Sequence, residues 1–155
     1  MLFRSAIILI LIVAGSASVS SAQNENPMAE LRQSEIDANV PDKKDFEAIL
    51  KRDLTKYVTD PRDKGITVNI ELLRDPQTQV GVAFPKFYCW IEKRDAKGLI
   101  IEEAAARIAA INKMHFDVIQ YFDRKRLVAE PDLIVGVFPE DVCEKIRKKL
   151  KRDEK

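Results

Sequence analysis

The chain has 155 residues, with 26 Lys+Arg against 25 Asp+Glu and a formal net charge of +1, so no long-range field selects nucleic acid or an acidic surface as a partner. Its one His and two Cys exclude a histidine-built zinc site and leave Cys/His ligation without a ligand-like spacing. Ile, Leu, Val and Phe are plentiful enough for a body of this length to fold as one domain.

The opening "MLFRSAIILILIVAGSASVSSAQ" joins Arg4 and the free amine to an apolar run from Ala6 to Ala14, followed by small polar residues. That is the order of a secretory signal peptide, and the run is short for a membrane span. Ser20 and Ala22 mark a cleavage site after Ala22, so residues 1–22 are expected to be removed and the protein exported, to a periplasm or to the outside of the cell. Residues 23–41 are polar, with two prolines and only a weak apolar period at Met28, Leu31 and Ile36, the composition of a mobile arm.

Residues 42–150 carry the pattern of a single α+β domain, and 151–155 form a charged tail. After Asp42 as cap, Phe46, Ile49, Leu50, Leu54, Tyr57 and Val58 recur at helical spacing up to Pro61. Residues 66–73 alternate, Ile66, Val68, Ile70 and Leu72 on one side, as a half-buried strand does. "VGVAFPKFYCWIE" reads as its hairpin partner, with a register change near Pro85 that turns Phe87, Cys89 and Ile91 inward and Tyr88 and Trp90 outward.

From Gly98, "LIIEEAAARIAAINK" predicts an amphipathic helix with Ile101, Ala104, Ala105, Ile108 and Ile111 inward. "MHFDVIQYFD" can extend that helix or form a strand, and the thinning of strong helix formers after Lys113 favours the strand. "RKRLVAEPD" reads as a connection, "LIVGVF" as a buried strand, and "PEDVCEKIRKKL" as a final helix with Cys143, Ile146 and Leu150 inward. The order implies a small antiparallel or mixed sheet with helices packed on one face.

Two cysteines in an exported chain are most simply one disulfide, Cys89 to Cys143. Closing that loop would contribute about 4 kcal/mol on a chain-entropy argument. Beyond Ala22 the only serine is Ser34, in the arm, so a Ser-His nucleophile would need that arm brought to His115. Four glycines remain beyond the leader, and none builds a phosphate-cradling loop; no cofactor or metal is implied.

Asp117, Asp123, Glu130, Asp132, Glu140 and Asp141 are close in sequence and keep a carboxylate-dependent exported hydrolase as the alternative function. The favoured expectation is a non-enzymatic binding or interaction protein that meets a protein or small molecule through an exposed sheet face. Tyr88 and Trp90 would supply its aromatic surface and Lys86 and Glu92 its charge. Should another element cover the two rings, that face becomes a second small core. No membrane contact is expected apart from the basic stretch at residues 145–151, which reads first as the solvated end of the last helix, where cations suit the dipole.

Overall fold

The computed structural model describes residues 26–75, 77–79 and 83–153. The leader and its cleavage site after Ala22 therefore lie outside the described residues, as do Val80 and Val82. Four strands, β1 (Thr67–Leu72), β2 (Lys86–Arg94), β3 (Ile100–Asn112) and β4 (His115–Asp123), pair antiparallel in chain order. Helices α1 (Pro27–Asn39) and α2 (Lys43–Val58) precede the sheet, and α3 (Arg124–Ala129) and α4 (Glu140–Leu150) follow it. The α+β class is as expected. No helix among the described residues is long and apolar enough to cross a membrane.

Helices cover both faces of the sheet, not one. On the first face Ile49, Leu50 and Leu54 of α2 pack onto Val68, Phe87, Cys89, Ile91 and Ile108. On the second, Val142, Cys143 and Ile146 of α4, with Leu127 of α3, pack onto Tyr88, Trp90, Ala105 and Phe122. Successive strand residues point to opposite faces, so β2 is buried from Phe87 to Ile91 without interruption.

The two covered faces also explain β3. The alanine-rich run that reads as a helix is instead a central strand, with Ala104, Ala105, Ala106, Ile108, Ala109 and Ala110 all buried. A helix buries one stripe, whereas this segment buries consecutive residues on both sides. As a helix it would leave the ladder groups of both β2 and β4 unpaired, a cost that outweighs intrinsic alanine propensity. Small side chains also let the helical layers sit close to the sheet.

Other expectations divide along similar lines. Residues 115–123 form the expected strand, and the last helix forms with Cys143 and Ile146 inward. The arm forms helix α1, started by Asn26, whose side chain accepts from the Met28 N–H, but it buries none of its side chains. The connection after β4 holds α3, capped by the Asp123 carboxylate on the Arg126 N–H at 2.9 Å.

"LIVGVF" is not a strand: Pro131–Ile134 make a 3-10 turn, and Gly136 turns the chain at φ 79°. Its buried members are Ile134 and Phe138, and Gly136, which would share their face in a strand, is exposed. Alanine at Gly136 would meet no atom but would carry the left-handed strain of a Cβ.

The Cys89–Cys143 disulfide is absent, and both cysteines are free thiols. Cys89 points toward α2 and Cys143 is on the sheet-facing side of α4, so the sheet stands between two groups that a bridge would need within about 7 Å at Cα. The pairing presumed helices on one face only. Burial pushes the Cys89 thiol up to about 12 and raises that of Cys143, with Glu140 adding to the effect. Neither sulfur is a poised nucleophile. Native protein is expected to resist alkylation and, once unfolded, to take up one label at each cysteine without reductant; a reductant requirement detected by intact mass would contradict this arrangement.

Asp53 ties α2 to β4. Its carboxylate accepts from Phe116 N at 2.9 Å and from Arg52 Nε at 2.8 Å, with His115 Nδ1 at 3.3 Å. Burial opposes its ionisation most strongly, yet Arg52, the Phe116 N–H and His115 together outweigh burial and hold its titration below the usual value. Asp53→Ala is expected to cost about 1–3 kcal/mol by orphaning the Phe116 N–H, measured by urea denaturation. A depressed folded pKa stabilises above the unfolded value near 3.9 and ceases to do so as pH falls through the folded one. The wild-type advantage over the variant should therefore shrink only on the acid side of about pH 4.

Candidate functional site

The four residues expected to form a binding surface occupy two places. Tyr88 and Trp90 do share the face opposite Cys89, but α4 and the Ile134–Phe138 segment cover it, leaving Tyr88 5% and Trp90 1% exposed. The exposed aromatic sheet face is therefore absent. Its rings are the centre of the second core: Tyr88 packs on Phe138 at 5.8 Å between centroids, and Lys149 lies 5.7 Å over the Trp90 ring. Trp90 Nε1 donates to Glu103 at 3.3 Å, and Glu103 is held by Arg124 at 2.8 Å.

Glu92 stands at the other end of β2, 2.7 Å from Arg94. Together with Trp90 it borders a recess of about 200 Å³ beside Asn69 and Glu71.

Lys86 and Tyr88 meet in a more pointed setting. They border a cleft of about 290 Å³ with Thr78, Gln79, Arg107 and the Gly136–Pro139 turn. Antiparallel pairing sets Tyr88 opposite Arg107, which places Lys86 and Arg107 on the same face of the sheet. No carboxylate borders the cleft among the described residues. Arg107 Nη1 donates to Gln120 Oε1 and to the Val137 carbonyl, each at 3.3 Å, and Lys86 Nζ donates to the Phe84 carbonyl at 3.3 Å. All three acceptors are neutral.

The electrostatics follow from that arrangement. Desolvation, with repulsion from Arg107 second, lowers the Lys86 pKa. Both side-chain ends of Gln79 and the Nε of Arg107 are buried without a hydrogen-bond partner among the described residues, each a cost of about 1–3 kcal/mol unless something pairs with it. Thr78 Oγ1 and the Tyr88 hydroxyl lie 2.6 Å apart, so one hydroxyl proton remains for an acceptor. Two cations, an amide and a hydroxyl proton around a small recess is the chemistry that receives an oxyanion.

Arg107, Thr78 and Gln79 were not identified from the sequence. Arg107 did leave a signal: it is the one charged residue between Ala104 and Asn112, a cation set in a run that is otherwise buried. Thr78 and Gln79 carried none, because they reach the cleft through an isolated bridge between Thr78 and Lys86.

The acidic residues close in sequence are dispersed over different partners. Asp117 contacts His115 Nε2 at 2.8 Å, Asp123 caps α3, Glu130 lies 3.9 Å from Arg126, Glu140 pairs with Arg147 and Asp141 with Arg74, while Asp132 is exposed in the 3-10 turn. Glu102 and Glu103 do border one recess with Asp123. As neighbours on a strand they face opposite ways, Glu102 accepting from the Tyr121 hydroxyl at 2.6 Å and Glu103 from Arg124. No group of three or more His, Cys, Asp or Glu placed to hold a metal ion occurs among the described residues. The chain matches no protein-family model, no curated protein and no solved structure.

Proposed function

We propose that this is a small exported binding protein, without chemistry of its own, that holds a compact oxyanion-bearing ligand in the Lys86–Arg107 cleft. The observation that carries the reading is the convergence of two cations that have no counter-charge among the described residues, beside buried polar atoms unpaired among them. Stable folds seldom leave such groups unsatisfied, and the donors among them, Gln79 Nε2 and Arg107 Nε, are matched by a carboxylate or phosphate oxygen. A cleft of about 290 Å³ is at the lower end of ligand-site sizes and suits a ligand of a few heavy atoms rather than a polymer. Export is supported by the leader, and an N-terminal sequence beginning near Gln23 on secreted protein is its test.

Binding is tested with inorganic phosphate and acetate as probes, read by thermal shift and titration calorimetry. Either probe should raise Tm by mass action on the native state. Glu92→Gln, whose charge belongs to the separate recess, should respond as the wild type does. A response unchanged in Lys86→Gln and Arg107→Gln, or no response to either probe, would remove the proposal.

A further inference from the structure

We propose that β1 pairs antiparallel with β1 of a second copy of this chain, so that one continuous sheet runs through a two-fold dimer. The two edges of the sheet are treated differently. β4 carries the usual protections: its pairing with β3 is broken by two register shifts, its Phe116 N–H is taken by Asp53, and Arg52 donates to the Met114 carbonyl just before it. β1 carries none of these. It pairs with β2 in unbroken register, contains no Pro, Lys or Arg, and has no strand on its other side among the described residues. An edge of this kind is a template for another strand.

The surface beside it offers an apolar row within a mixed lining. A groove of about 420 Å³ runs between α2 and β1, where Phe46, Leu50, Val68, Ile70 and Leu72 are flanked by Glu47, Lys51 and Asn69, and Leu72 is 38% exposed.

What favours a second copy over a foreign peptide is the self-complementarity of the strand. A two-fold axis perpendicular to the sheet requires residues of the same face to lie opposite each other. Centred at Ile70, the pairing sets Val68 against Leu72 of the second copy and Asn69 against its Glu71. Centred at Asn69, it sets Val68 against Ile70 and Thr67 against Glu71. Both registers place apolar groups against apolar groups and leave no like charges opposed. The one charge on the strand, Glu71, is already paired with Lys149.

The purified protein is tested for mass by light scattering and sedimentation up to the millimolar range, alongside Leu72→Lys and single Asn69→Cys, Ile70→Cys and Thr67→Cys variants under mild oxidant. Wild type should show twice the monomer mass. Leu72→Lys, which sets an ammonium against the apolar row, should run as a folded monomer. Asn69→Cys or Ile70→Cys should crosslink to its own copy, while Thr67→Cys, which lies off the axis in both registers, should not. The native thiols are too buried to compete. A monomer at all concentrations overturns the proposal, as does a dimer that survives Leu72→Lys and crosslinks at neither central position.

Discussion

Trp90→Ala is expected to cost about 3–5 kcal/mol of folding stability, the range for removing a large buried aromatic. The ring is 1% exposed in the second core, beneath α4, with its Nε1–H on Glu103 and Lys149 above its face. Truncation removes the packing and leaves Glu103 with one donor fewer. Since a domain of this size is stable by roughly 5–15 kcal/mol, the variant can lie close to the unfolding threshold. Trp90→Phe, which keeps most of the volume, should retain a two-state transition by circular dichroism at a lower urea midpoint. As the only tryptophan, Trp90 also reports directly: native emission should be blue-shifted and move red on unfolding. Red emission from the native protein, or an unchanged midpoint in Trp90→Ala, would mean that the ring lies on a surface.

The double substitution Lys86→Gln with Arg107→Gln should have the largest functional effect. Removing both cations should abolish the phosphate- and acetate-induced rise in Tm. Each single substitution should weaken binding on the order of tenfold or more, the scale of one charge-assisted hydrogen bond. Without ligand, Lys86→Gln should be slightly more stable than wild type, by roughly a few tenths of a kcal/mol, because it relieves repulsion from Arg107 at a partly exposed site.

The sign of the pH dependence follows from the lowered Lys86 pKa. Between that value and the ordinary lysine value near 10.4, the unfolded chain binds more protons than the folded one, so ligand-free stability rises with pH in that alkaline window. Anion affinity runs the other way: it is constant while Lys86 is protonated and falls as pH rises through its folded value. A binding constant flat to the ordinary lysine range, or a ligand-free protein destabilised by Lys86→Gln, would separate Lys86 from the site. Stability lost to a site held ready for a ligand is a common trade in binding proteins.

Local patterns were legible where one element decided them. The α2 stripe, the alternation of β1, the strand at residues 115–123 and the amphipathic last helix are written in apolar spacing, and a single buried face is enough to impose that spacing. The parity of β2 was also readable: Cys89 does face away from Tyr88 and Trp90. From it came two of the residues that border the cleft, Lys86 and Tyr88.

What lay above the cores was not legible. A strand covered on both sides loses its alternation, so β3 reads as an alanine-rich helix, and only its pairing with β2 and β4 makes it a strand. The same second layer buries Tyr88 and Trp90, parts Cys89 from Cys143, and brings Val137 and Arg107 together beside Lys86. By itself the sequence determined which residues turn away from water and with what period, because that depends on neighbours a few positions apart. Only the tertiary structure decided what they turn toward. The cover for β2 comes from a helix some fifty positions on, and burying apolar area fixes that such a face is covered without specifying by which segment.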